Sequence, residues 1–251
     1  MTAEALPHPF RLVAYETIGS TNDELKRLAR EGAGEGLVII AECQTAGRGR
    51  RGRTWVSPPG NLYSSTLLRP DCRASTAAQL GFVAALGVSG AIGELAPDIN
   101  LRCKWPNDLL ANGKKISGIL LETEMAAGDR PDFVILGIGV NLASSPDETP
   151  YPATSLAEED AAGVTPPVMA AAVIRHFASW LTTWREGGFA PIREAWLARA
   201  MGLGEPVQVR LERDTLAGRF LDLDDDGALL LGLPEGSRRI AAGEIFPARA
   251  A

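Results

Sequence analysis

The chain is short of the residues that staple or anchor a fold. Its 251 residues include three cysteines, Cys43, Cys72 and Cys103. They are odd in number, far apart and free of C-x-x-C spacing. This argues against a disulfide framework and for reduced thiols in a cytoplasmic setting. The two histidines, His8 and His176, have no metal-ligand spacing around them, so no zinc site is expected. Residues 1–30 lack the apolar core of a signal peptide, being broken by Pro7, Pro9, Glu16 and Asp23. No segment reads as long and apolar enough to span a membrane. Positive charge is in deficit too, with 25 Lys and Arg against 31 Asp and Glu, a net charge of −6. That balance argues against a general binder of nucleic acid or anionic membranes.

The basic residues that do occur are concentrated. Residues 47–53, GRGRRGR, gather four arginines and three glycines in seven positions. Glycine-rich backbone lets amide groups converge on an anion, and arginine adds planar, paired donors. A phosphate or carboxylate cradle and an RNA-binding loop both fit that composition. The cradle is favoured because LVIIAE (37–42), a buried strand by its β-branched run, leads into the loop, while Trp55 and Pro58-Pro59 bracket it.

The rest of the chain reads as an α+β protein. Ser20 to Glu24 opens a helix, with Thr21 and Glu24 at capping-box spacing. Residues 61–69 read as a returning strand and roughly 75–95 as a long apolar helix. Strands follow at about 100–105, 115–125 and 132–142, with Asn112-Gly113 as a tight turn. Two more helices are expected near 167–186 and 190–200. After Gly202 come short alternating runs split by turns such as Asp225-Asp226-Gly227. These suggest a small barrel of about five strands, dividing the chain at 1–204 and 205–251.

Three further clusters need a partner. Lys104-Trp105-Pro106-Asn107-Asp108 packs a cation, an aromatic, an amide and a carboxylate into five positions. In Lys114-Lys115-Ile116-Ser117-Gly118 a lysine enters an otherwise apolar strand, and Gly118 leaves room beside it. Gly137-Ile138-Gly139-Val140-Asn141 repeats that device. Together they point to an enclosed site for a small ligand.

Ser20-Thr21-Asn22, Gln44 with GRGRRGR, KWPND, KKISGILLE and GIGVN, in this order, resemble the biotin protein ligases. The likeness runs from about residue 15 to the end of the chain. It implies a mixed sheet related to class II aminoacyl-tRNA synthetases and lipoate ligases, followed by a small SH3-like β-barrel. It also implies a monofunctional form, because too few residues precede the first motif for a DNA-binding domain. The implied substrates are biotin and ATP with Mg²⁺, the latter held mainly by the nucleotide phosphates. The implied partner is the biotin carboxyl carrier domain of acetyl-CoA carboxylase, with no nucleic acid and no membrane. A homodimer through a sheet edge is compatible with the family.

Carried over by position, the catalytic group is Lys115, Arg50 and Asp108. Biotin would be held by Ser20, Thr21, Asn22, Gln44, Arg48, Gly49, Arg50, Lys115 and Gly118. ATP or the adenylate would be held by Arg48, Arg50, Arg51, Arg53, Trp55, Lys104, Asn107, Lys115, Gly137 and Asn141. On this resemblance Lys115 sits between the biotin carboxylate and the α-phosphate. Asp108 either orients or deprotonates the incoming lysine, or assists Mg²⁺. Tyr151 to Leu156 is expected near the adenine. Thr21 is also read as a plain helix cap. Two rivals remain: a lipoate or octanoate ligase on the same fold, and an RNA-binding module.

Overall fold

The computed structural model describes residues 6–248 apart from Ala127, Glu148 and Pro150. Its larger sheet contains seven strands: β1 (Arg11–Ile18), β2 (Leu37–Gln44), β3 (Leu62–Leu68), β4 (Leu101–Lys104), β5 (Asp108–Ala111), β6 (Lys114–Met125) and β7 (Pro131–Val140). Their spatial order is β1-β2-β3-β7-β6-β5-β4. Only the β1–β2 pair is parallel, so the sheet is mixed. Helix α1 (Thr21–Arg30) covers one face. Helices α3 (Leu80–Leu95), α4 (Pro166–Gly187) and α5 (Phe189–Leu197) belong to the main core on the other.

Strand alternation explains where the site lies. Successive side chains on a strand point to opposite faces. On β7, Phe133 and Ile135 lie beneath α1, beside Leu67 of β3 and Leu25 and Ala29 of the helix. Two and four residues further along the same face come Gly137 and Gly139. The apolar floor ends where α1 begins, and bare backbone takes its place. β6 matches this in register: Gly118 lies opposite Gly139, and Leu120 opposite Gly137.

Several expectations need amending. β1 has no apolar pattern of its own, and only the resemblance, which begins near residue 15, reaches it; it is an edge strand with most residues exposed. The strand expected at 100–105 is half of a hairpin, with β5 returning directly after Pro106. The long helix breaks into α2 (Ala74–Ala77) and α3 around Gln79, whose side chain donates to Asp225 O and accepts from Trp184 Nε1. Contrary to expectation, Ala74–Leu95 is long and apolar enough to cross a membrane, but its apolar stretch is mostly buried against the rest of the protein, which marks it as a core helix of this fold.

The C-terminal strands are β8 (Pro206–Arg210), β9 (Thr215–Leu223), β10 (Leu229–Leu233), β11 (Gly236–Ile240) and β12 (Glu244–Pro247). They form an antiparallel sheet in the order β11-β10-β9-β8-β12. The expected closed barrel is not seen. Among the described residues, β11 pairs only with β10 and β12 only with β8, leaving two edges. This sheet shares the main core: Val207, Phe220, Leu229 and Ile245 join the cluster that holds Val83, Leu86 and Trp105. The buried Trp105 Nε1 donates to Gly227 O at 3.0 Å. Gly227 has φ +82 and faces Phe82, so both its backbone and its lack of a side chain are required.

Candidate active site

A cavity of about 500 Å³ opens over the glycine-bearing face. Every residue assigned from the sequence to the catalytic, biotin and ATP sets lines it except Arg51, which sits at φ 57 in the loop; of the 151–156 segment, Tyr151 and Ala153 line it. Three parts can be distinguished.

The first is a polar nest at the start of α1. Thr21 N and Oγ1 both donate to Gln44 Oε1, at 2.9 and 3.1 Å. Gln44 Nε2 in turn reaches Ser57 Oγ at 3.1 Å. Ser65, fully buried, places its hydroxyl 2.7 Å from Thr21 Oγ1 and 2.5 Å from Asn22 Oδ1. Asn22 Nδ2 donates to Glu122 Oε2, and Lys26 pairs with the other oxygen. Burial opposes ionisation of Glu122, yet these partners hold its carboxyl below the usual range. The plain helix-cap reading of Thr21 is therefore overturned. Ser20 is the N-cap residue, it makes no side-chain capping bond, and the Thr21 hydroxyl crosses to β2 and β3. Ser57 and Ser65 were missed, because isolated serines carry no motif; Glu122 closes the KKISGILLE stretch but was given no role.

The second part is the floor. A Cβ on Gly137 would come within 2.5 Å of Asn22 Oδ1. On Gly139 it would come within 2.5 Å of the Trp55 ring, and on Gly118 within 2.9 Å of the same ring. The three glycines therefore seat an amide and an indole flat against the sheet. Trp55 Nε1 is buried with no hydrogen-bond partner among the described residues.

The third part is charge. The buried Lys104 lies 4.8 Å from the Tyr151 ring centroid and 5.0 Å from that of Phe246. Its Nζ is 3.3 Å from Asp108 Oδ2. Burial pushes the Lys104 ammonium below its ordinary value, with Asp108 opposing that shift. Lys115 Nζ makes an ion contact of 2.6 Å with Asp108 Oδ1 and stands 5.4 Å from the Trp55 ring. Arg50 Nη1 donates to Asn107 Oδ1 at 3.0 Å, and Asn107 Nδ2 donates to Ile119 O at 2.7 Å. Burial likewise lowers the Arg50 guanidinium. Two arginines of the loop are engaged at its flanks. Arg48 grips Asp23 of α1, and Arg53 grips Glu244 of β12. Asn141 commits its Nδ2 to Thr154 O, which fastens the segment carrying Tyr151. Glu244 and Phe246 line the cavity from the C-terminal sheet and were also missed. They lie some 190 positions from the arginine loop, and no local pattern announces them.

A mixed sheet with a cation-rimmed cavity above bare glycines fits an enzyme that brings two anions together. Residues 7–198 match the model of the biotin/lipoate A/B protein ligase family, and residues 202–246 match the biotin protein ligase C-terminal domain. The chain belongs to this family. Among its relatives, a biotin–[acetyl-CoA-carboxylase] ligase of Paracoccus denitrificans is 45% identical, over 90% of this chain and 96% of the relative. Another ligase of that name, from Mycobacterium tuberculosis, is 33% identical, over 92% and 86%. A solved biotin protein ligase from Aquifex aeolicus, in complex with biotin and ATP, is 31% identical with a TM-score of 0.81, over 94% and 97%.

Proposed function

We propose that this chain is an ATP-dependent biotin–protein ligase that joins biotin to a lysine of the carrier domain of acetyl-CoA carboxylase. One observation carries the reading: Arg50, Lys104 and Lys115, from three different elements, line one cavity together with the polar nest. Two anions repel, and converging cations offset that repulsion without a nucleophile on the enzyme. A lipoate ligase is disfavoured by the match of residues 202–246 to a biotin ligase domain. An RNA-binding module would need outward-facing cations, whereas Arg50 and Lys104 are withdrawn from solvent.

In the first step the biotin carboxylate oxygen bonds to the α-phosphorus of ATP and pyrophosphate leaves. In the second, the neutral amine of the acceptor lysine attacks the biotinyl carbonyl carbon, AMP leaves and the amine proton is released. Thr21, Gln44 and their neighbours form the pocket for the neutral ureido ring, whose buried N–H and C=O groups need partners. Lys115 and Arg50 face the carboxylate and phosphate. Asp108 holds the Lys104 and Lys115 ammoniums in place, which gives it an orienting part. Trp55, assigned by the resemblance to the adenylate, packs against Gly118 and Gly139 and so also walls the acid's tail, while Tyr151 and Phe246 flank the nucleotide. Among the described residues, no three His, Cys, Asp or Glu side chains cluster as a metal site. A Mg²⁺ ion supplied with ATP would be held mainly by phosphate oxygens, as the resemblance implies, and would neutralise their charge. The SH3-like description of the terminal sheet follows the resemblance, and the boundary at 204/205 follows the change to short alternating runs after Gly202.

The test uses the whole protein with ATP, Mg²⁺ and either biotin or lipoate, followed by a biotin carboxyl carrier domain. A mass gain on the carrier only with biotin is expected. A gain only with lipoate refutes the reading.

A further inference from the structure

Asp23 lies outside every motif that marks the site. It stands in the first turn of α1, where an acidic side chain suits the helix dipole regardless of any other role. Its side chain nevertheless does something more specific. Arg48 Nη1 and Nη2 donate to Asp23 Oδ2 and Oδ1, both at 2.5 Å, in a two-pronged pairing. The pairing holds the Asp23 carboxyl below its ordinary range and pushes the Arg48 guanidinium up. Glu122 stands 3.7 Å from the same guanidinium and adds a weaker attraction. With its guanidinium engaged on α1, Arg48 ties the arginine loop to the rim of the cavity. The phosphate-facing work then falls to Arg50, Lys104 and Lys115.

We propose that Asp23 is a positioning residue for the ligation reaction: a latch that clasps Arg48 and keeps the glycine-rich loop shut over the bound acid and its adenylate. This rests on the biotin-ligase reading above. A lone exposed ion pair is worth little, but the two-pronged arginine–carboxylate geometry is the exception. The latch acts on retention of ligand and leaves the chemistry to other residues.

The test compares wild type with Asp23→Asn, Asp23→Glu and a control on the same helix, Glu31→Gln. Among the described residues, Glu31 pairs only with the exposed Arg27. Each protein is loaded with biotin, ATP and Mg²⁺, freed of excess ligand, and followed for adenylate release without acceptor. For Asp23→Asn, release and the KM for biotin should both rise roughly two- to fivefold, the range such a pair supports, while kcat at saturating substrate holds. Trypsin should also cut faster within residues 48–53. Asp23→Glu should recover part of the retention, and Glu31→Gln should match wild type. Added salt should speed release from wild type more than from Asp23→Asn and so narrow the gap between them. A folded Asp23→Asn that retains adenylate like wild type overturns the proposal. So does one that loses thermal stability alone, or kcat with KM intact. If wild type forms no adenylate from biotin, the functional reading itself has failed, and the two failures are distinct.

Discussion

Arg50 is withdrawn into the cavity and fixed by Asn107, so its guanidinium is aimed before any substrate arrives. Arg50→Gly should leave the fold intact yet release the adenylate early, because its charged hydrogen bonds to phosphate are gone. A discharge assay without acceptor checks this, and an unchanged lifetime of the intermediate would count against it. Gly139 makes a different prediction. A methyl there meets the Trp55 ring at 2.5 Å, so Gly139→Ala must lift the indole from the sheet. Tryptophan fluorescence should shift, and biotin affinity should fall about tenfold, as a displaced wall costing ~1.4 kcal/mol would give. At this scale the sequence was informative wherever chemistry needs a rare residue type. Lys115 in an apolar strand and the paired glycines both stood out, while Ser65 did not, since its importance comes only from what β3 brings beside α1. Glu122 stood at the end of a motif, but its role shows only once β6 meets Asn22 and Lys26.

Elements hold these side chains through a few buried polar anchors. Asn61, at the mouth of β3, accepts from the backbone N–H groups of Leu142, Ala143 and Ser144 at 2.8, 2.9 and 3.3 Å. It also donates to Ser144 O at 2.9 Å. The stretch from β7 towards Tyr151 is thereby pinned from its start. Asn61→Ala should cost about 1–3 kcal/mol, since buried amides lose their acceptor. It should also raise the KM for ATP more than that for biotin. Urea titration and initial rates would test both halves, and equal changes in the two KM values would argue against this route. Helices and central strands were readable from apolar period. The β1 edge and the return strand β5 were not, because β1 is mostly exposed and β5, though buried, has only four residues, too few to show a period.

Across the molecule, the two sheets share one core and meet at Trp105 and Gly227. Trp105→Phe would keep the ring but leave Gly227 O buried without its donor, for a loss of about 1–3 kcal/mol. One cooperative transition should persist, shifted to lower urea, whereas separate unfolding of the C-terminal sheet would contradict a shared core. Acid should act on the whole fold too. Asp23, Glu24, Glu122 and Asp224 all have folded values below their ordinary 3.8 or 4.5. Their contribution is complete above those ordinary values and disappears as pH falls through the folded ones. Stability measured in urea should therefore be flat from pH 7 to about 5 and decline below it, chiefly through the half-buried Glu122. Raising that half-buried contribution by salt instead of losing it would contradict the ion-pair account.

β12 also dictates a timetable. It is the last strand in chain order, yet its Glu244 and Phe246 complete walls begun by residues near position 50. During translation the arginine loop leaves the ribosome long before its opposite wall exists. A nascent chain therefore has no finished chamber in which to make a reactive anhydride, and activation waits until synthesis has passed that strand.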